Sequence, residues 1–149
     1  MGDPLKTILL VDDSRFMRLA NERALSRAGY NVVTASDGVE GLRIANTGAS
    51  DLIVLDMLLP KLGGPEVLQA LRNNPITASI PIIVLSSLPQ KNEAKLMKEG
   101  ATAYCEKSKM GLDQSGLLLH IVKTTLDNLA ATGVEASSLG DGGSASQRD

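Results

Sequence analysis

Tryptophan is absent from this chain, and aromatic residues of any kind are scarce: Phe16, Tyr30 and Tyr104 are all there are. The core must therefore be aliphatic. The scarcity also argues against a surface that stacks on nucleic-acid bases. A single cysteine, Cys105, excludes an internal disulfide, and its apolar context marks it as a small buried residue. Basic charge is not in excess, since 15 Lys and Arg face 17 Asp and Glu for a net charge of -2. The electrostatic footprint of a nucleic-acid binder is thus missing. No apolar run approaches the roughly 18 residues of a membrane span, and no signal-peptide pattern is present. The chain reads as soluble and cytoplasmic, without a membrane partner.

Hydrophobic residues make up 43% of the 149 positions. That suffices for one domain with a real core and excludes disorder over most of the length. Short, β-branched apolar runs alternate with helical patterns. Strands are expected at 7–11, 31–34, 52–55, 82–85 and 103–106. The runs are continuous, as in parallel strands covered on both faces. Ser14 is a plausible N-cap for a helix reaching Ala28, with Gly29 as its stop. A helix over 37–46 carries Val39, Leu42 and Ala45 on one face. One over 65–72 has Pro65 in its first turn and Val67, Leu68 and Leu71 facing inward. Another covers 92–99 and stops at Gly100. The last begins at Asp113 or Ser115 and bears a stripe of Leu117, Leu118, Ile121, Val122, Leu126 and Leu129. From Thr132 the composition turns to Gly and Ser, so residues 1–131 are the expected domain and 132–149 a flexible tail or linker.

Five βα units imply an α/β, flavodoxin-like, doubly wound parallel sheet with strand order 2-1-3-4-5. The switch point falls between the first and third strands, and sites form at the carboxyl edge there. The strand ends carry chemistry. Ile8-Leu9-Leu10-Val11 ends in Asp12-Asp13. Leu52-Ile53-Val54-Leu55 ends in Asp56. Ile82-Ile83-Val84-Leu85 ends in Ser86-Ser87, and Tyr104-Cys105-Glu106 ends in Lys107. Three carboxylates held close repel one another, and a hard divalent ion relieves this; Mg²⁺ suits such ligands. Lys107 can neutralise an anionic oxygen, and the Ser86 hydroxyl can bond another. A carboxylate oxygen of Asp56 remains free to attack phosphorus. The implied reaction is phosphoryl transfer to Asp56, driven by positioning and charge neutralisation.

These residues resemble the receiver domain of two-component response regulators, including the single-domain chemotaxis kind. The resemblance covers 6–131. It rests on Val11-Asp12-Asp13-Ser14, Leu55-Asp56-Met57 with Pro60 and Gly63-Gly64 beyond, Leu85-Ser86-Ser87, and Gly100-Ala101-Thr102-Ala103-Tyr104 leading to Lys107. It implies that Asp56 is the phosphoacceptor, that Asp13 binds Mg²⁺ directly and Asp12 through water, and that the Leu58 carbonyl is a further ligand. Lys107 would contact the phosphoryl group. Ser86 would be the switch hydroxyl and Tyr104 the coupled aromatic. The donor would be a phosphohistidine on a sensor kinase or phosphotransfer protein. The output protein is not named by the sequence, and a homodimer would form through the last two helices and last strand. Self-catalysed transfer and slow self-dephosphorylation, not turnover of a substrate, would be the only catalysis.

The chain departs from the family at Ser108, where Pro is usual, and its 108–114 loop is longer. A trans bond is expected there. In the family, the positions held here by Leu58 and Leu88 flank the path of hydrolytic water; two apolar side chains cannot orient it, which points to a long-lived acyl phosphate. Other readings stand beside the main one. A degenerate receiver would bind a partner without phosphorylation. An aspartyl-phosphate phosphatase would want an aspartate where Leu58 stands, and a flavin site has only the fold in its favour. His120 has no second metal ligand at helical spacing and reads as structural. Met97 and Met110 fill gaps, and the charges of 91–99 form a solvated face.

Overall fold

Apolar runs too short for helices and apolar on both faces must be sandwiched, and the computed structural model sandwiches them. It describes residues 5–87, 93–107 and 114–139, with backbone alone at 114 and 132–139. Strands β1 (Thr7–Val11), β2 (Asn31–Ala35), β3 (Leu52–Asp56), β4 (Ile82–Ser86) and β5 (Ala103–Glu106) alternate with helices. These are α1 (Arg15–Arg27), α2 (Gly38–Ala45), α3 (Gly64–Asn73), α4 (Glu93–Lys98) and α5 (Gln114–Leu139). The sheet is parallel in the order β2-β1-β3-β4-β5, as expected. Among the described residues no helix is long and apolar enough to cross a membrane.

Successive strand residues point to opposite faces, and this splits the core into two layers. Leu9, Val11, Ile53, Leu55, Ile82 and Val84 meet Ala45 of α2, Val67, Leu68 and Leu71 of α3 and Leu96 of α4. Ile8, Leu10, Leu52, Val54, Ile83, Leu85 and Cys105 meet Leu25 of α1 and Leu118 and Val122 of α5. Each fully buried aliphatic side chain contributes about 1.5–3 kcal/mol. One polar pair interrupts the second layer. Asn21 of α1 is fully buried and accepts a hydrogen bond from Ser115 Oγ of α5 at 3.0 Å. Its Nδ2 has no partner among the described residues. An unmade buried hydrogen bond costs about 1–3 kcal/mol.

Opposite the carboxyl edge, Arg72 ties the base together. Its guanidinium donates to the Gly100 carbonyl at 2.8 Å, to Ile80 at 2.7 Å and to Ala78 at 3.0 Å. Gly100 has φ +120°, and a side chain there would also press on the Arg72 stem.

Caps and stops follow the sequence closely. Ser14 caps α1 through its hydroxyl, which accepts the Met17 N–H at 3.3 Å. Gly29 takes φ +102° just beyond the helix. Asp37 caps α2 by accepting the Glu40 N–H at 2.8 Å.

One expectation needs correction. Val39 does not face the core but is 55% exposed. The buried face of α2 is Gly38, Gly41 and Ala45, because the helix lies so close to β1 that a Cβ on Gly41 would stand 3.0 Å from Val11. α5 runs to Leu139, past the change of composition at Thr132. The readings made for Leu88, Lys91, Ser108, Met110 and Asp113 lie outside the described residues, as does the tail beyond Leu139.

Candidate functional site

Parallel pairing sets the strand ends level, and this assembles the site. Val11 pairs with Leu55, and Asp56 with Leu85, so Asp12 and Asp56 emerge side by side. Asp12 is fully buried and Asp56 is 2% exposed, while Asp13 faces solvent. Each of the three offers a carboxylate oxygen, and these oxygens lie within 4.8 Å of one another. The fold thus brings together the three acids expected from the strand ends.

Local structure holds each one. The Ser14 N–H donates to Asp12 Oδ1 at 2.9 Å. Arg18 Nη1 donates to the Asp12 carbonyl at 2.8 Å. The Leu58 N–H donates to Asp56 Oδ1 at 3.2 Å, and Lys107 Nζ to Asp56 Oδ2 at 2.9 Å. Gly64, at the start of α3, packs on this strand end. A Cβ there would stand 2.6 Å from the Asp56 carbonyl oxygen. Only glycine permits that approach.

The electrostatics match the crowding. Burial pushes the Asp12 carboxyl up to about 6, against the Ser14 hydrogen bond and aided by the Asp56 charge. Its Oδ2 has no hydrogen-bond partner among the described residues. Burial pulls the Lys107 ammonium down, but its bond to Asp56 and the Asp56, Asp12 and Asp13 charges outweigh this and hold it above its usual value. The cluster therefore presents hard oxygen donors, one without a proton donor, beside one cation.

Ser86 ends β4 and is 1% exposed. Its side chain is hydrogen-bonded with that of Tyr104, whose hydroxyl is pushed up by burial and partly restored by that bond. The two expected switch residues are thus in direct contact. Leu58 is 61% exposed beside Asp56. A groove of about 470 Å³ runs elsewhere, along β5 and α5, lined by Thr102, Tyr104, His120, Ile121, Thr125 and Leu129. His120 is a wall of that groove and stands apart from the acids. Sequence reading missed Arg18 and Asn21. Nothing local marks Arg18, whereas Asn21 breaks the apolar face one turn before Leu25.

Residues 8–122 match the family model of the response regulator receiver domain. The chain belongs to that family. The receiver is 43% identical over 103 residues to the alkaline phosphatase synthesis transcriptional regulatory protein PhoP of Bacillus subtilis, covering 68% of this chain and 42% of PhoP. It therefore spans less than half the length of that curated relative. The solved phosphorylated cyanobacterial phytochrome response regulator RcpA resembles it at TM-score 0.73 and 30% identity, over 84% of this chain and 96% of RcpA. The solved Mn²⁺-bound response regulator Rcp1 resembles it at TM-score 0.69 and 26% identity, over 78% of this chain and 91% of Rcp1. The flavodoxin-like fold and the receiver identity expected from the strand-end motifs are both correct.

Proposed function

We propose that this receiver accepts a phosphoryl group on Asp56 from a phosphohistidine of a sensor kinase or phosphotransfer protein. The observation that carries the reading is the convergence of Asp12, Asp13 and Asp56 within 4.8 Å, with Lys107 at 2.9 Å from Asp56. The donor set fits Mg²⁺: hard carboxylate oxygens, one of them, Asp12 Oδ2, buried with no hydrogen-bond partner among the described residues. Asp12, Asp13, Asp56 and the Leu58 carbonyl would hold the ion. When bound, it supplies charge neutralisation for the phosphoryl oxygens. Two relatives of similar fold support the reading, Rcp1 solved with Mn²⁺ bound and RcpA solved in a phosphorylated form.

The protein's own groups do the rest. An Asp56 carboxylate oxygen forms a bond to phosphorus as the bond from phosphorus to the histidine nitrogen breaks. The electron pair stays on that nitrogen. Lys107 leaves Asp56 Oδ2 to pair with a phosphoryl oxygen, and the Ser86 hydroxyl turns to another. Ser86 is bonded to Tyr104, so its movement pulls on the half-buried ring. That alters the face of α4, β5 and α5 toward an output partner or a second copy. Each domain is modified once per phosphoryl group, so this is self-catalysed transfer rather than enzymatic turnover. Such a relay operates in the cytoplasm.

The test is to incubate the protein with Mg²⁺ and phosphoramidate and record intact mass, with Asp56→Asn alongside. One phosphoryl adduct on the wild type and none on the variant is the expected result. No adduct, together with no spectral response to beryllofluoride, would favour a receiver that binds its partner without phosphorylation.

A further inference from the structure

Lys107 directly follows β5, and the next described residues begin α5. Ser115 is only eight positions beyond Lys107. The usual Pro after the lysine, with its fixed φ, is replaced here by Ser108. Some other element has to fix where the chain resumes after the lysine. Ser115 Oγ supplies it by donating to Asn21 Oδ1 at 3.0 Å.

Asn21 is an unexpected residue for that place. It is fully buried, one turn before Leu25, and Ser115 is three residues before Leu118. Both neighbours belong to the apolar layer between α1, α5 and the sheet. The carboxamide has two donor hydrogens, and its Nδ2 meets no acceptor among the described residues. Turning the amide over would give Ser115 an N–H partner and leave the oxygen unmatched instead. In either orientation half of a buried polar group is unused. A leucine would fill the same layer without that cost. Broken local rules concentrate where function needs them.

The helix that carries Asn21 is also the helix capped by Ser14, immediately after Asp12 and Asp13. The Asn21–Ser115 bond therefore joins the segment after the lysine to the helix after the acid pair. We infer that the buried Asn21–Ser115 bond is a positioning device that sets Lys107 over Asp56 for phosphoryl transfer. The inference rests on the phosphoacceptor reading above and adds two residues to it that touch neither phosphate nor metal.

The experiment measures phosphorylation by phosphoramidate in Mg²⁺, over a range of donor concentrations, by intact mass. The proteins are wild type, Asn21→Leu, Ser115→Ala, Ser115→Thr and Lys107→Met, with Asn21→Leu also made in the Lys107→Met background. Asn21→Leu and Ser115→Ala should lower the maximal rate about tenfold, because small misplacements of a charged group are costly. The half-saturating donor concentration and the melting temperature of Asn21→Leu should not fall. Ser115→Thr keeps the hydroxyl and should return the rate to within about twofold of wild type, and Asn21→Leu should cost nothing further once Lys107 is gone. An equal loss with and without Lys107 would show that Asn21 acts elsewhere and would overturn the inference. So would an unchanged rate in Ser115→Ala, which also serves should Asn21→Leu fail to fold. A wild type that takes no phosphoryl group would remove the phosphoacceptor reading and this one with it.

Discussion

Lys107 Nζ stands 2.9 Å from Asp56 Oδ2, a contact between residues 51 positions apart in the chain. The other oxygen, Oδ1, accepts the Leu58 N–H at 3.2 Å. Both oxygens of the nucleophile are thus engaged before any phosphoryl group arrives. The ammonium offsets the charge of a carboxylate that is nearly inaccessible to water. It also repels any cation entering the acid cluster. Lys107→Met should separate these two effects. Phosphorylation should slow by about tenfold or more, as when a preorganised charge is removed from a transition state. Mg²⁺ should bind a few-fold more tightly, because a positive charge has left its surroundings. Rate measurements and a Mg²⁺ titration of the same variant check both. Weaker Mg²⁺ binding would mean that Lys107 organises the acids rather than opposing the ion.

The Asp12 carboxyl fixes the sign of a pH effect. Its folded-state value is raised from 3.8 to about 6, so the folded protein holds that proton more tightly than the unfolded chain does. The resulting stability is fully present below 3.8 and is lost as pH climbs through about 6. Above that, the metal-free protein carries a buried charge worth about 1–2 kcal/mol of destabilisation, after discounting for water near the site. Asp12→Asn should therefore melt higher than wild type at pH 7.5 in chelator. The two should converge near pH 4. Added Mg²⁺ should raise the wild type more than the variant. Thermal melts at the two pH values, with and without Mg²⁺, decide it; a variant that melts lower at pH 7.5 would contradict the argument.

Arg72 has no acidic partner among the described ion pairs, yet it joins three segments through carbonyls at 2.7–3.0 Å. Its planar fork reaches Gly100 from Nε and Ile80 from Nη1 at once. Arg72→Ala should cost about 2–4 kcal/mol, since several carbonyls lose a charged donor together. Arg72→Lys should recover less than half of that, because one ammonium cannot span the same set. Denaturant melts of the three proteins measure this, while phosphorylation by small donors well below the transition should hardly change.

The strand ends are legible in the sequence because parallel pairing makes sequence position and spatial position nearly equivalent. An acid or lysine just past an apolar run has one place to go. Hence Asp12, Asp13, Asp56, Ser86 and Lys107 can be located without coordinates. Features built from backbone acceptors are not legible. Arg72 reads as an ordinary basic residue in the last turn of a helix, and its partners are backbone carbonyls of the loops before β4 and β5. Val39 is misplaced by periodicity because helical patterns count large residues. The close contacts of α2 are made where side chains are missing, at Gly41 against Val11 of β1 and at Gly38 against Leu62 and Val67. The Ser86–Tyr104 contact is expected only through the family resemblance, and the end of α5 is hidden by a composition rich in Ser and Gly.

Leu58 bears on how long the acyl phosphate lasts. It is 61% exposed, two residues past Asp56, and its own N–H is bonded to the carboxylate. Hydrolysis needs a water aligned with phosphorus on the side opposite the Asp56 oxygen. The receiver resemblance puts this position beside the path of that water, where a polar side chain could accept a hydrogen bond from it. Leucine has no acceptor and offers only hydrocarbon. The phosphorylated protein should accordingly persist for on the order of tens of minutes or longer, since no positioned group assists the water. Leu58→Asn supplies a carbonyl and an amide without adding charge to the acid cluster. It should shorten the half-life by on the order of tenfold, toward the lower end of what a positioned polar group contributes. The rate of phosphorylation should change far less, because the attacking group is Asp56 and not water. The decay of the adduct by intact mass, after removal of the donor, gives both half-lives. A wild-type half-life of seconds would show that another group orients the water, and an unchanged one in Leu58→Asn would place the water path elsewhere.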